Sequence, residues 1–206
     1  MINEITENIV KCLIKNDIIS EDGKDIYTYG LDLIISGLIG ILTVLLAWII
    51  IGEIFYAIIY NLIMVIVRIY TGGYHASTHA KCLISYVLTF FTSIVILKEE
   101  FIKLNRPVEI VISILVLLTI AIYAPLENKN KVLSKVQKRK YKIICIVEYM
   151  IILGISEVGK LIYKYETDNS HSELLELGIY IKILLMIITI LLVVGKFKNY
   201  IMQRKH

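Results

Sequence analysis

Two histidines, a cysteine, a glycine pair and several hydroxyl side chains crowd into the stretch Arg68 to Cys82, "RIYTGGYHASTHAKC", between two long apolar runs. Cysteine is a nucleophile as its thiolate, and an imidazole within reach can take its proton. His75 and Cys82 are one such pair. Seven residues of straight helix rise about 10.5 Å, too far for a side-chain hydrogen bond of about 3 Å, so the chain must bend between them. Gly72-Gly73 permits a turn, and Ser77 or Thr78 is a suitable N-cap for a helix running into "AKCLISYVLTFF". His75 then lies on the loop and Cys82 just past the first helical turn. The positive helix end and the cations Arg68 and Lys81 stand beside that thiol. Backbone N–H groups near Gly72-Gly73 could hold an oxyanion.

Spacing alone leaves alternatives. His79 sits three residues before Cys82, on the same helix face, and by local distance is the nearer base. His75, His79 and Cys82 at i, i+4 and i+7 would line one face of a continuous helix and could hold zinc. The bland reading is an interfacial loop with a buried cysteine and histidines serving only as structure.

The elements around this stretch must be membrane helices. Of 206 residues, 57% are hydrophobic, more than the roughly 45–50% of a soluble domain, and mean hydropathy is +0.74. No segments of about ten residues alternate apolar and polar as a barrel requires. The fold expected is an all-α multipass membrane protein, one domain over 1–206, with about six embedded segments. A span needs about 20 mostly apolar residues, and the candidates are 31–52, 54–70, 82–97, 108–126, 143–159 and 177–195. The second is parted from the first only by Gly52-Glu53, so it is a tight hairpin, a re-entrant segment or the second half of one bent helix. The fifth carries Glu148 and Glu157. Residues 1–25 read as an amphipathic interfacial helix, with Ile5, Ile9, Leu13 and Ile14 as its apolar face, and 196–206 as a basic tail.

Cytoplasmic loops are enriched in Lys and Arg. With six spans and both termini inside, sixteen basic residues fall on the cytoplasmic side and five outside. This orientation puts Arg68–Cys82 at the cytoplasmic face of the cell membrane. The three cysteines match no paired motif, so a disulfide framework is not expected. Nucleic-acid binding has no support, because the basic run in 127–142 is pinned beside the bilayer.

Arg68, Gly72-Gly73, His75-Ala76 and Cys82 resemble the signature of the accessory gene regulator protein B family. The flanking apolar frame is similar, as is "YAPLENKNK", an Ala-Pro followed by a Lys-rich loop. One departure is the lack of a proline after Pro125 in that loop. The resemblance covers most of the chain. It implies a membrane cysteine endopeptidase that needs no cofactor or metal, with His75 as base and Cys82 as nucleophile. The enzyme would remove the C-terminal tail of a small quorum-sensing pro-peptide in a Gram-positive bacterium and allow the rest to close into a thiolactone or lactone. It also makes a homodimer plausible. The rival class is a non-enzymatic membrane protein, such as a small transporter subunit or a metal-binding sensor. A transporter should show paired interrupted helices at the bilayer midplane, whereas this polar cluster lies at a segment end.

Other residues carry weaker signals. Arg68, Gly72, Gly73, Lys129, Lys131 and Glu148 are supporting or substrate-binding candidates. The basic loop is a topology anchor that could also attract an acidic precursor tail. Glu148 is an ionisable group at membrane depth. Glu157 and Lys182 are expected to pair across the last two spans. Trp48, Phe55, Tyr56 and Tyr60 suit an aromatic belt near the outer turn. Cys145 reads as core packing, and Cys12, with no histidine beside it, as non-catalytic.

Overall fold

A computed structural model describes residues 2–72, 79–99, 106–127, 133–165 and 172–203. The described residues hold seven α-helices: α1 (Ile2–Lys15), α2 (Lys24–Ile51), α3 (Ile54–Thr71), α4 (His79–Lys98), α5 (Arg106–Tyr123), α6 (Lys135–Tyr165) and α7 (Ser172–Gln203). Helices are what an apolar solvent demands, since every backbone N–H and C=O must be bonded within the segment. Five of them, α2, α3, α4, α5 and α7, are long and apolar enough to cross a membrane. The sixth expected segment, 143–159, lies inside α6, whose lysine-rich first turns and two glutamates make it the least apolar of the six. The chain is therefore a multipass helical membrane protein.

Neighbouring helices alternate in direction. Tyr60 of α3 donates to the Tyr86 carbonyl of α4 at 2.7 Å, while Arg68 and Cys82, nearer the facing ends of the two helices, line one cavity. Tyr149 of α6 donates to the Ser113 carbonyl of α5 at 2.7 Å, and Ser156 of α6 to Gly178 of α7 at 2.7 Å. The segment 54–70 is a separate helix and not the second half of a bent one. Gly52 ends α2 with φ 80, its N–H on the Trp48 carbonyl, and α3 runs back along α2. At about 1.5 Å per residue the 18 residues of α3 reach roughly 27 Å, close to the bilayer's hydrocarbon thickness.

The core lies where α3, α6 and α7 meet, around Tyr60, Met64, Tyr149, Tyr180, Leu184 and Leu192. This corrects one expectation. Trp48 and Phe55 are exposed as belt residues should be, but Tyr56 and Tyr60 are buried. Their hydroxyls are used inside the protein. Tyr56 bonds Glu176 of α7 at 2.9 Å, and Tyr60 also pairs with Thr89 at 2.6 Å. A buried phenol keeps its ring in the core only when its hydroxyl finds a partner.

Element ends also differ from expectation. The amphipathic helix stops at Lys15, and the first long helix begins at Lys24, ahead of the uncharged run. α1 docks on α2 through buried Val10 and Thr6, with Thr6 donating to Asp32 at 2.7 Å. Ile5 and Ile9 stay on its outer face. The basic tail does not start a new element, because α7 runs on through Lys196 and Lys198 to Gln203. Lysine is a good helix former and no glycine or proline follows Gly195 to stop it.

Candidate functional site

Arg68 sits in the last turn of α3 and Cys82 in the second turn of α4. Both line a groove of about 320 Å³ formed by α2, α3 and α4. Its other walls are Leu33, Ser36, Gly37, Gly40 and Ile41 of α2, Met64, Val65 and Ile69 of α3, and Leu83 and Tyr86 of α4. Cys82 is a free thiol, partly buried. Behind it, towards α7, a space of only about 10 Å³ is closed by Arg68, Ser85, Tyr86, Thr89 and Leu191, room for at most about one water. The thiol therefore faces an apolar groove on one side and, on the other, a narrow cleft walled by α3, α4 and α7.

That wall is braced by hydrogen bonds. Tyr86 donates to Asn61 Oδ1 at 2.9 Å, and Asn61 donates to the Ala57 carbonyl at 2.9 Å. Tyr60 packs edge-on against Tyr86, ring centroids 5.1 Å apart. Asn61 is a buried amide within an apolar run, and its type at membrane depth is its sequence signal. Tyr86 and Thr89 gave no comparable signal.

Gly72 closes α3 with φ 70 and ψ −151, its N–H on the Arg68 carbonyl at 3.1 Å. This backbone region belongs almost entirely to glycine. A Cβ there would also stand 2.8 Å from the Leu126 carbonyl oxygen. The Ala124-Pro125-Leu126 segment leaving α5 lies directly against this end of α3, with the Leu126 N–H bonded to the Thr71 carbonyl at 2.9 Å. Gly72 thus fixes where the chain departs towards His75 and what it departs beside.

Gly73, His75, Lys129 and Lys131 lie outside the described residues, as does the side chain of His79. Neither candidate base is placed against Cys82, and the zinc reading is equally unplaced. Among the described residues, no three His, Cys, Asp or Glu side chains gather as a metal site. Glu148 is not brought to the groove, whose walls come from α2, α3 and α4 alone. It is half-buried on α6, one turn beyond buried Cys145, and its Oε2 has no hydrogen-bond partner in the structure. Cys12 is exposed on α1.

The expected Glu157–Lys182 pair forms, and it is larger than expected. Lys182 of α7 bonds Glu157 of α6 and, at 3.2 Å, Glu109 of α5. Arg106 closes on Glu157 at 2.8 Å. These charges lie at the end of the bundle opposite Cys82, beside a cavity of about 230 Å³ lined by Glu109, Ser113, Tyr149 and Lys182 among apolar residues. Glu109 sits one turn into a span, which was its sequence signal.

Near the Cys82 end, the basic segment that opens α6 is tied to the preceding loop. Lys138 pairs with Glu127 at 2.7 Å, and the Leu133 N–H donates to the same carboxylate at 3.1 Å. The Lys138 ammonium, then that N–H, hold the Glu127 carboxyl below the usual carboxylate range.

Comparison with known proteins bears on the whole bundle. The family pattern described as Accessory gene regulator B matches residues 6–190. "Putative AgrB-like protein 2" of Clostridium perfringens (strain 13 / Type A) is 28% identical over 165 residues, which cover 72% of this chain and 77% of that protein. No solved structure matches. With the family pattern running from α1 nearly to the end of the last span, the chain belongs to the accessory gene regulator B family, which ties it to the peptide processing of that quorum-sensing system.

Proposed function

We propose that the protein is a cysteine endopeptidase of the membrane, acting on a small pro-peptide at the cytoplasmic face. The observation that carries this reading is the groove that holds Cys82 and Arg68 together, next to the glycine-capped end of α3 from which the chain leads to His75.

His75 takes the proton of the Cys82 thiol, and the sulfur adds to a backbone carbonyl of the precursor. The C–N bond breaks, and His75 returns the proton to the leaving amine of the C-terminal tail. The remaining peptide is held as a thioester on Cys82. A thiol or hydroxyl side chain of that peptide, its proton taken by the now neutral His75, then attacks the same carbonyl carbon. A ring closes, and Cys82 leaves as thiolate. Transfer of a thioester to another thiol is near balance, whereas hydrolysis is downhill, so the site has to limit water. The apolar groove and the narrow cleft behind Cys82 suit that need. Lys129 and Lys131 draw an acidic tail to the membrane face, with Arg68 receiving a peptide oxygen. Glu148 does not line the groove and takes no part in these steps. The arrangement requires both termini on the cytoplasmic side, in agreement with the sixteen-to-five charge bias.

The test is reconstitution in liposomes with the small peptide encoded beside this gene, followed by mass spectrometry. An acyl adduct on Cys82 is expected, and Cys82→Ala should release no tail. Ordinary cleavage by that variant would overturn the assignment. His75→Ala should slow acylation by about 10²–10⁴-fold; an unchanged rate would transfer the role to His79.

A further inference from the structure

The groove beside Cys82 has a shape that the chemistry above does not require. Its rim is made by Leu33 of α2 and by Val65 and Ile69 of α3, all exposed on the outer surface of the bundle. In a membrane that surface meets lipid. Its depth is set by Gly40 and Met64, both buried. The α2 wall is flat because Gly37 and Gly40 carry no side chains there. At Gly40 a Cβ would meet the Tyr86 ring at 3.5 Å, ordinary contact, whereas at Gly37 it would meet nothing within 4 Å. Gly37 therefore keeps space open inside a groove that already contains the thiol.

We infer that this groove is the pocket for a bulky apolar side chain of the precursor, next to the bond that is cut, entered sideways from the bilayer between α2 and α3, with Gly37 setting its size. The inference rests on Cys82 as the nucleophile. A peptide carbonyl at that sulfur carries its flanking side chain into the adjoining space, and the space is lined almost wholly by hydrocarbon. About 320 Å³ lies at the small end of ligand pockets, at roughly 300–1,000 Å³, which fits one large side chain with its backbone and not a whole folded segment. Arg68 is the one ionic group among the described lining residues. It stands where a peptide carbonyl or carboxylate oxygen would come, giving the pocket a polar end at the scissile bond and an apolar end towards lipid. A bilayer-dissolved peptide would so reach Cys82 without first crossing into water.

Two measurements test this, and they fail separately from the nucleophile assignment. In the first, Cys82 is the only thiol (Cys12→Ser, Cys145→Ser) in lipid nanodiscs, and the rate of its labelling is followed. Gly37→Leu should slow labelling by N-cyclohexylmaleimide, which partitions into lipid, at least tenfold, and leave labelling by a small charged methanethiosulfonate nearly unchanged. Gly30→Leu, also open around its Cβ but not on the groove, should change neither rate. In the second, tail release from the precursor encoded beside the gene is measured. Gly37→Leu should raise KM at least tenfold with kcat little altered, and an alanine in place of the large apolar precursor residue beside the cut should restore it. Val65→Phe fills the same space from the facing wall, and should behave alike if Gly37→Leu does not fold. Wild-type labelling and KM in the filled variants would overturn the pocket, as would a KM defect that no smaller precursor residue rescues. Cleavage surviving in Cys82→Ala would instead overturn the nucleophile.

Discussion

Both ends of the helix bundle place charge beside an apolar cavity, and they use it in opposite ways. Where α5 begins, Lys182 is held by Glu109 and Glu157, and Arg106 adds a second cation to Glu157. Three helices contribute, two positive charges meet two negative ones, and no thiol or imidazole stands among the described groups. At the other end, Arg68 shares its groove with a free thiol, and the groove opens on the lipid-facing surface. An ionisable residue at membrane depth is a functional candidate by default. The contrast shows what decides the matter. Counter-charges from neighbouring helices turn one cluster into scaffold, while at the other end a free thiol has open space beside it, as the proposed chemistry needs.

The largest effect that would break this contrast is at Lys182. Its side chain is 17% exposed and that of Glu109 15%, so removing the ammonium strands carboxylates in an apolar setting. Lys182→Met should lower the unfolding free energy in detergent by about 3–5 kcal/mol, the usual cost of breaking a buried pair. Neutralising the whole set (Lys182→Met with Glu109→Gln and Glu157→Gln) should recover most of that loss, because no stranded charge remains. Molecules that stay folded should release the tail at the wild-type rate. A Lys182→Met protein with full stability and lost turnover would make this cluster part of the site.

Much of the bundle was legible in the sequence because a bilayer imposes a coarse rule, about 20 apolar residues per crossing. Each of the six segments reappears as a helix, with ends displaced where charged residues extend the helix beyond the hydrocarbon. Which face of each helix turns inward was not legible. Lipid tails are as apolar as leucine, so lipid and core select the same side chains, and periodicity loses its meaning. That is why Tyr60 read as a belt residue and proved buried, and why the docking of α1 through Thr6 and Asp32 went unseen. In the site, Arg68, Gly72 and Cys82 announced themselves by type and spacing. The α2 wall did not, since Gly37 and Gly40 lie far from Cys82 in sequence and carry no chemistry. Nor did the contact between Gly72 and Leu126, which joins two loops more than fifty residues apart.

That contact gives the next, smaller effect and sharpens the contrast within one residue type. Gly52 and Gly72 both have positive φ. At Gly52 an added Cβ has nothing within 4 Å, so Gly52→Ala should cost only the left-handed strain, about 1–2 kcal/mol, and leave cleavage intact. Gly72→Ala meets strain of about 1–3 kcal/mol and, in addition, the Leu126 carbonyl at 2.8 Å. Backbone has to move at the end of α3, where the chain departs towards His75 in sequence. Tail release should fall at least tenfold in protein whose unfolding midpoint is only modestly lowered. Equal activity in the two alanine variants would show that the departure of the chain at Gly72 does not govern the chemistry.

The smallest effect belongs to the Glu127–Lys138 pair, charged residues near the Cys82 end that the contrast assigns to scaffold. Lys138, with the Leu133 N–H, holds the Glu127 carboxyl below its ordinary range. Its folded pKa therefore lies under the unfolded value of about 4.3. A depressed carboxylate stabilises the fold fully above that unfolded value and loses its contribution as pH falls through the folded one. The side chains are 47% and 36% exposed, so solvent and salt screen the pair to about 0–1 kcal/mol. Lys138→Met should accordingly be slightly less stable than wild type near pH 6, and the difference should close on acidification below about pH 4 and shrink in high salt. Tail release at neutral pH should keep its KM. A raised KM that falls back when the precursor's acidic tail residues are neutralised would move Lys138 out of the scaffold and into precursor binding, extending the site along the start of α6.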